Sequence, residues 1–223
     1  MKNGILIFLL LIFTVLKPDS LMSQKSYTYL ALGDSYTIGE RVLPDENFPS
    51  QTVQLLRNDS FDFHAPEILA KTGWTTDELQ SAMNQHNFSS SYDFVSLLIG
   101  VNNQYRGRSI YNYKTEFEKL LKKAVSLAGG RTDHVLVLSV PDWSVTPFAK
   151  ERDRAQIANE INAFNAANKQ ISLQYNVQYL DITAWTREAV NDPSLLAADG
   201  LHPSAKEYRR WAEKVAVFFK SKI

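Results

Sequence analysis

The strongest constraint on the fold is an alternation of short apolar segments with stretches of helical periodicity. The third apolar segment, residues 94–100, is apolar at almost every position, which is typical of a central strand in a parallel sheet. Apolar residues recur at helical spacing over 113–128 and about 149–174. The sequence therefore predicts an α/β protein with a parallel sheet covered on both faces. The five predicted strands lie in residues 29–32, 65–70, 94–100, 135–140 and 177–181.

Length and charge limit the number of domains and the kinds of partner. The chain has 223 residues, of which 44% are apolar, and this is enough to bury one core. Lysine and arginine balance aspartate and glutamate, 24 against 24, so the composition gives no sign of nucleic-acid binding. The sequence contains no cysteine, and His64, His86 and His134 show no metal-ligand spacing. We expect one domain, no nucleic-acid partner, no metal and no cofactor.

The N-terminal segment has the features of a secretory signal peptide. Lys2 precedes an apolar run over residues 5–16, and this run is too short to span a bilayer comfortably. We predict a signal peptide over 1–23, cleavage between Ser23 and Gln24, and a mature domain over 24–223. The protein would then be exported, to the periplasm or the extracellular medium, with no stable membrane anchor after cleavage. An uncleaved anchor is the alternative.

Polar residues follow three of the predicted strands at the point where each strand ends. Ser35 follows the first strand, Gly73 the second and Asn102 the third. The carboxyl ends of parallel strands meet at one edge of the sheet, so these three residues are expected to lie close together. The first turn of the helix after Ser35 also offers backbone N–H groups that can bind an oxyanion.

A fourth polar pair, Asp199 and His202, precedes the last predicted helix. At a spacing of three residues, Asp199 can accept a hydrogen bond from Nδ1 of His202, which leaves Nε2 free to take a proton from a serine hydroxyl. Each of these residues could instead be an ordinary turn or helix-cap residue. Their joint occurrence at four strand-end loops favours a catalytic site.

With these residues the chain resembles the SGNH hydrolases, also called GDSL esterases or lipases. Leu32-Gly33-Asp34-Ser35 is similar to the block that carries the nucleophile of the family, and Gly73 stands where its glycine block would be. Gly100-Val101-Asn102-Asn103 is similar to the asparagine block, and Asp199-Gly200-Leu201-His202-Pro203 to the last block. The resemblance implies a three-layer α/β/α sandwich with a flavodoxin-like, five-stranded sheet.

The same resemblance implies roles for individual residues. Ser35 would be the nucleophile, His202 the base and Asp199 its orienting carboxylate. The oxyanion hole would consist of the N–H groups of Ser35 and Gly73 and the side-chain amide of Asn102. The chain departs from the family pattern at two positions: Tyr36 replaces a leucine, and Asn103 stands where the family usually has aspartate.

The expected activity is hydrolysis of a small-molecule carboxylic ester, of the lysophospholipase or short-chain esterase type. Aromatic residues near the rim are candidates to line the substrate pocket: Tyr36, Trp74, Tyr105, Trp143 and Phe148. Arg106 and Arg108 could bind a phosphate or carboxylate on the substrate.

Three other interpretations of the sequence compete with a lysophospholipase or short-chain esterase. The enzyme could be a carbohydrate or peptidoglycan O-acetylesterase, or the chain could be a secreted binding protein of the same fold without turnover. In a third reading, a flavodoxin-like nucleotide or flavin binder, the loop after the first strand would cradle a phosphate. Asp34 would repel that phosphate, and His202 would have no role. The sequence leaves open which ester is cleaved, as well as the oligomeric state.

Overall fold

The structure is a computed structural model, and it describes residues 25–223. The predicted signal peptide and its cleavage site lie outside the described residues. Among the helices of 25–223, none combines the length and the apolar character needed to cross a membrane.

The core of the fold is a five-stranded sheet in which every neighbouring pair of strands is parallel. Its spatial order is β2-β1-β3-β4-β5, the flavodoxin-like order, and the strand order reverses between β1 and β3. The predicted α/β fold with a five-stranded parallel sheet is confirmed. The strands are β1 (Tyr29–Gly33), β2 (Glu67–Ala70), β3 (Phe94–Leu98), β4 (Val135–Leu138) and β5 (Gln178–Leu180).

The register aligns the strand ends that matter for the site. Gly33, the last residue of β1, lies opposite Ala70 of β2 and Leu98 of β3. The loops that leave these three strands therefore start at the same level and at the same edge of the sheet.

Helices cover both faces of the sheet. They are α1 (Ser35–Ile38), α2 (Phe48–Asn58), α3 (Thr76–Gln85), α4 (Val101–Tyr105), α5 (Ile110–Leu127), α6 (Arg154–Gln174), α7 (Thr183–Thr186) and α8 (Ala205–Lys220). Short 3₁₀ turns occupy Thr132–His134, Trp143–Val145, Pro147–Ala149, Arg187–Val190 and Pro193–Leu195.

Side chains that alternate along the strands divide the core into two layers. Tyr29 and Ala31 of β1 point to the layer that contains α2 and α8, whereas Leu30 and Leu32 point to the layer of α3 and α5. Helix α6 contributes to both layers. Full burial of one such aliphatic side chain stabilises the fold by about 1.5–3 kcal/mol, so both layers hold the sheet edge in place.

Two element boundaries differ from the sequence prediction. The predicted helix over about 149–174 begins only at Arg154, because Asp153 caps it by accepting a hydrogen bond from the N–H of Gln156 at 2.9 Å. The polar composition of residues 41–49 predicts a loop there, but Pro49 lies inside the first turn of α2. A proline is tolerated at this position because its missing N–H would have no partner within the helix.

Candidate functional site

Ser35 lies at the tight turn between β1 and α1. Asp34 caps α1 by accepting a hydrogen bond from the N–H of Tyr36 at 3.0 Å. The turn requires glycine at position 33, because a Cβ there would lie 2.1 Å from Oγ1 of Thr37 and 2.5 Å from the carbonyl oxygen of Leu98. The chain can therefore turn directly from the strand into the helix, with Ser35 as the first helical residue.

Ser35, His202 and Asp199 form a continuous chain of hydrogen bonds. Nε2 of His202 lies 3.0 Å from Oγ of Ser35, and Nδ1 lies 2.6 Å from Oδ2 of Asp199. The other carboxylate oxygen of Asp199 accepts the N–H groups of Leu201 and His202, each at 3.0 Å. The imidazole is thus held in one orientation, with Nε2 directed at the hydroxyl. This arrangement can take a proton from a serine and return it to a leaving group.

The environment of Asp199 keeps its carboxylate ionised. Partial burial acts to raise the pKa of Asp199, but the hydrogen bonds from the His202 ring and from the two backbone N–H groups outweigh it, and the pKa lies below its ordinary value. A charged carboxylate in this position can stabilise an imidazolium at His202.

Asn102 and Gly73 lie at the same edge of the sheet. Asn102, in the first turn of α4, donates from Nδ2 to the carbonyl of Trp74 at 3.0 Å and to Oδ2 of Asp34 at 3.4 Å. Gly73 adopts a φ of +84°, and within residues 25–223 its N–H donates to no other group. The hydrogen bond from Asn102 to Trp74 links the loop of Gly73 to α4, so the two donor-bearing segments are fixed relative to each other.

Arg106 and Arg108, considered as anion-binding residues, are instead engaged within the protein. Arg106 donates from Nη2 to the carbonyl oxygen of Gly73 at 2.6 Å and pairs with Glu78 at 3.2 Å. Arg108 pairs with Asp77, also at 3.2 Å. Both arginines therefore brace the Gly73 loop and the start of α3.

Asn103, the departure from the family pattern, points away from the cleft and joins α4 to α3. It is buried, its Oδ1 accepts the N–H of Thr76 at 3.1 Å, and its Nδ2 donates to the Thr76 hydroxyl at 2.6 Å. That hydroxyl in turn donates to Glu116. An aspartate at this position could not supply the second of these bonds, so the asparagine suits the Thr76–Glu116 pair.

In the sequence, Asp34 was considered as a carboxylate that would repel a phosphate, and its burial was not predicted. The carboxyl is fully buried, and burial raises its pKa to about 7, although hydrogen bonds from the Tyr36 N–H and the Asn102 amide act in the opposite direction. The only sequence signal for this burial is the position of Asp34, an acidic residue that directly follows a buried strand.

A cleft of about 190 Å³ is lined by Ser35, Gly73, Asn102 and His202. Of the predicted pocket residues, Tyr36, Tyr105, Trp143 and Phe148 line it, together with Thr72, Val101 and Leu201, which sequence reasoning did not select. Trp74 is a correction: its side chain packs against the core layer of α3 and α5 and is not part of the cleft lining. Its contribution to the site is its backbone carbonyl, which anchors Asn102.

The aromatic side chains of the cleft support one another. The rings of Tyr105 and Trp143 meet edge to face with centroids 5.5 Å apart, and Trp143 and Phe148 do so at 5.8 Å. Trp143 is further fixed because its Nε1 donates to Oε1 of Gln104 at 2.8 Å. Within residues 25–223, no group of three or more histidine, aspartate or glutamate side chains is arranged to hold a metal ion.

A serine hydrogen-bonded to a histidine–aspartate pair lies at the carboxyl edge of a flavodoxin-like parallel sheet. The fold is the three-layer α/β/α fold of the SGNH hydrolases, with its polar site at the strand ends. The chain belongs to the GDSL-like lipase/acylhydrolase family, whose model matches residues 31–210. It is accordingly an esterase or acylhydrolase, a hydrolase of ester bonds. No curated protein sequence compared with the chain matches it.

Solved structures agree with the fold. The chain is similar to TesA, with a TM-score of 0.70 and 16% identity over 88% of this chain and 99% of the other. It is similar to a lipase/acylhydrolase from Enterococcus faecalis, with a TM-score of 0.70 and 17% identity over 88% and 96%. It is also similar to Axe2, an acetylxylan esterase from Geobacillus stearothermophilus, with a TM-score of 0.65 and 19% identity over 86% and 94%. At these identities the comparisons establish the fold.

Proposed function

We propose that the protein is an exported serine esterase that cleaves carboxylic esters with a triad of Ser35, His202 and Asp199. The observation that carries the proposal is the pair of distances at the His202 ring, 3.0 Å from Nε2 to Oγ of Ser35 and 2.6 Å from Nδ1 to Asp199. A serine hydroxyl is a weak nucleophile unless a base removes its proton, and this geometry provides the base.

In the first step, Oγ of Ser35 bonds to the carbonyl carbon of the ester while its proton moves to Nε2 of His202. The carbonyl electrons move onto oxygen, and the resulting oxyanion is stabilised by the N–H groups of Ser35 and Gly73 and by Nδ2 of Asn102. For this, Asn102 gives up its longer hydrogen bond, the one to Oδ2 of Asp34 at 3.4 Å. When the carbon–oxygen bond to the alcohol breaks, His202 gives its proton to the departing alkoxide. The products of this step are a free alcohol and an acyl group on Ser35.

In the second step, water hydrolyses the acyl-enzyme. His202 takes a proton from the water as its oxygen attacks the acyl carbon, and the same three donors stabilise the second oxyanion. Collapse of this intermediate breaks the bond to Ser35, and His202 returns the proton to Oγ. The carboxylic acid leaves and the enzyme is restored, with no cofactor required.

The walls of the cleft favour a short acyl group. Tyr36, Val101 and Leu201 give it an apolar lining near Ser35, and a volume of about 190 Å³ is small for a ligand site. We therefore favour a short-chain esterase over an enzyme for long acyl chains, within the lysophospholipase and short-chain esterase type.

A carbohydrate O-acetylesterase is the second candidate. It is favoured by a polar pocket that adjoins the cleft beyond Tyr105 and has room for a polar alcohol. The likeness to the acetylxylan esterase Axe2 is consistent with this candidate but extends only to the fold. A binding protein without turnover is disfavoured, because the hydrogen bonds from Ser35 to Asp199 are all in place.

The test is hydrolysis of a ladder of p-nitrophenyl esters, from acetate to palmitate, by residues 24–223 and by the Ser35→Ala variant. We expect the highest kcat/KM between acetate and butyrate and a loss of at least about 1000-fold in the variant. Turnover that persists in Ser35→Ala would refute the assignment of the nucleophile. An optimum at palmitate would refute the short acyl site while leaving the esterase intact.

A further inference from the structure

A second pocket, of about 260 Å³, adjoins the catalytic cleft at Tyr105 and Trp143. These two side chains line both cavities, so a substrate bound at Ser35 needs only to pass the Tyr105 ring to reach the second one. We call it the polar pocket. Its remaining polar side chains are Gln104, Arg152, Asp153, Gln156 and Glu160.

Hydrogen bonds connect this pocket to the wall of the cleft. Gln104 accepts Nε1 of Trp143 at 2.8 Å and donates from Nε2 to Oε2 of Glu160 at 2.7 Å. Gln156 donates to Oε1 of the same glutamate at 2.8 Å. Trp143, Gln104 and Glu160 are therefore held in fixed positions and form the inner wall of the pocket, whereas Arg152, Asp153 and Gln156 are exposed side chains at its rim.

The outer part of the pocket remains open to a ligand. The Tyr105 side chain is 44% exposed, and the Arg152 guanidinium lies 5.8 Å from the centroid of its ring. Arg152 and Gln156 are exposed at the rim. Their N–H donors and the carboxylates of Asp153 and Glu160 line the same pocket as the Tyr105 ring.

This combination selects among alcohols. An aliphatic alcohol would remove the arginine and the carboxylates from water without replacing their hydrogen bonds, which is unfavourable. A phosphate would face two carboxylates, Asp153 and Glu160, against the single guanidinium of Arg152. A neutral sugar meets neither problem: its hydroxyls both donate and accept, and the C–H face of its ring can pack on Tyr105.

We propose that the polar pocket binds the alcohol half of the substrate and that this half is a neutral, polyhydroxylated ring such as a pyranoside. The acyl group occupies the cleft at Ser35, and the ester bond lies between the two cavities, beside Tyr105. The inference rests on the proposed esterase function, in the form of the second candidate, a carbohydrate O-acetylesterase, and it specifies which residues of that site bind the alcohol.

The test varies the alcohol while the acyl group stays acetyl. Mono-acetylated methyl xyloside, acetyl glycerol-3-phosphate and p-nitrophenyl acetate are compared on the wild type, Arg152→Ala and Gln156→Ala. Loss of one hydrogen-bonding partner predicts a KM for the xyloside that is about tenfold higher in each variant. The KM for p-nitrophenyl acetate is expected to stay within about twofold. Gln170→Ala, at an exposed position on the same helix, is the matched control and should change neither KM.

The same assays distinguish an incorrect sugar site from an incorrect esterase assignment. Ser35-dependent hydrolysis of p-nitrophenyl acetate, with a xyloside KM that neither variant changes, would overturn the polar pocket as a sugar site. If Arg152→Ala and Gln156→Ala raised the KM only for acetyl glycerol-3-phosphate, the neutral-sugar assignment would be overturned.

A binding measurement covers the case in which no ester is hydrolysed. Saturation-transfer NMR with methyl xyloside and the Ser35→Ala protein should give ligand signals that weaken in Ser35→Ala/Gln156→Ala and persist in Ser35→Ala/Gln170→Ala. Absence of any xyloside signal would refute the site independently of catalysis.

Discussion

The buried carboxyl of Asp34 predicts a specific dependence of stability on pH. Folding raises the pKa of Asp34 from an ordinary value of 3.8 to about 7, so the folded state binds this proton more tightly than the unfolded state does. The resulting contribution to stability is fully present below the unfolded pKa and is lost as the pH rises through about 7. The slope of 1.36 kcal/mol per pH unit applies only up to the folded pKa of about 7, so it covers about two units above pH 5. Ionisation of Asp34 should therefore lower the free energy of unfolding by about 3 kcal/mol between pH 5 and pH 8.5.

The perturbation is Asp34→Asn, which keeps an oxygen for the N–H of Tyr36 and cannot ionise. Urea unfolding of the wild type and the variant at pH 5, 6, 7 and 8.5 gives the difference in unfolding free energy at each pH, and titrations common to both proteins cancel. We expect this difference to change by about 3 kcal/mol in favour of the variant from pH 5 to pH 8.5.

Asp45→Asn provides the control for that experiment, because the Asp45 side chain is exposed. It should follow the pH dependence of the wild type. A difference between wild type and Asp34→Asn that stays constant from pH 5 to pH 8.5 would refute the reasoning, since Asp34 would then have the same pKa in both states.

Two further predictions concern the neighbouring asparagines. Asn102→Ala removes one oxyanion donor, so it should lower kcat for p-nitrophenyl acetate by about 100- to 1000-fold with little change in the melting temperature; unaltered turnover would exclude Asn102 from the oxyanion hole. Asn103→Asp removes the donor to the Thr76 hydroxyl and adds a buried carboxylate near Glu116, so it should destabilise the fold by about 1–3 kcal/mol in urea unfolding. Equal or greater stability of this variant would show that the Asn103 amide is not required there.

Much of the fold could be predicted from the sequence because its signals are local and periodic. The continuous apolar character of residues 94–100 identified a central strand, and the register that followed brought Ser35 and Asn102 to one edge of the sheet. The sequence Thr75-Thr76-Asp77-Glu78 also predicts a capping box at the start of α3, and the structure confirms it, since a capping box depends only on residues within one turn. Each of these features depends on residues that are close together in the sequence.

Features that depend on contacts distant in sequence could not be predicted. Trp74 is an aromatic residue beside Gly73, but the packing of α3 and α5 decides that its partly buried ring lies against the core. Arg106 looked like a ligand for an anion, and only the folded chain brings it to the carbonyl of Gly73, 33 positions away. The raised pKa of Asp34 likewise arises from burial by the whole fold.

The most direct test of the central claim is covalent labelling of Ser35. A fluorophosphonate reacts with a serine whose hydroxyl is activated by a base, and peptide mass spectrometry locates the adduct. We predict one adduct, on Ser35, that is absent in Ser35→Ala and strongly slowed in His202→Ala. Failure of the folded wild-type protein to form the adduct, or an adduct on a different serine, would contradict the proposed triad.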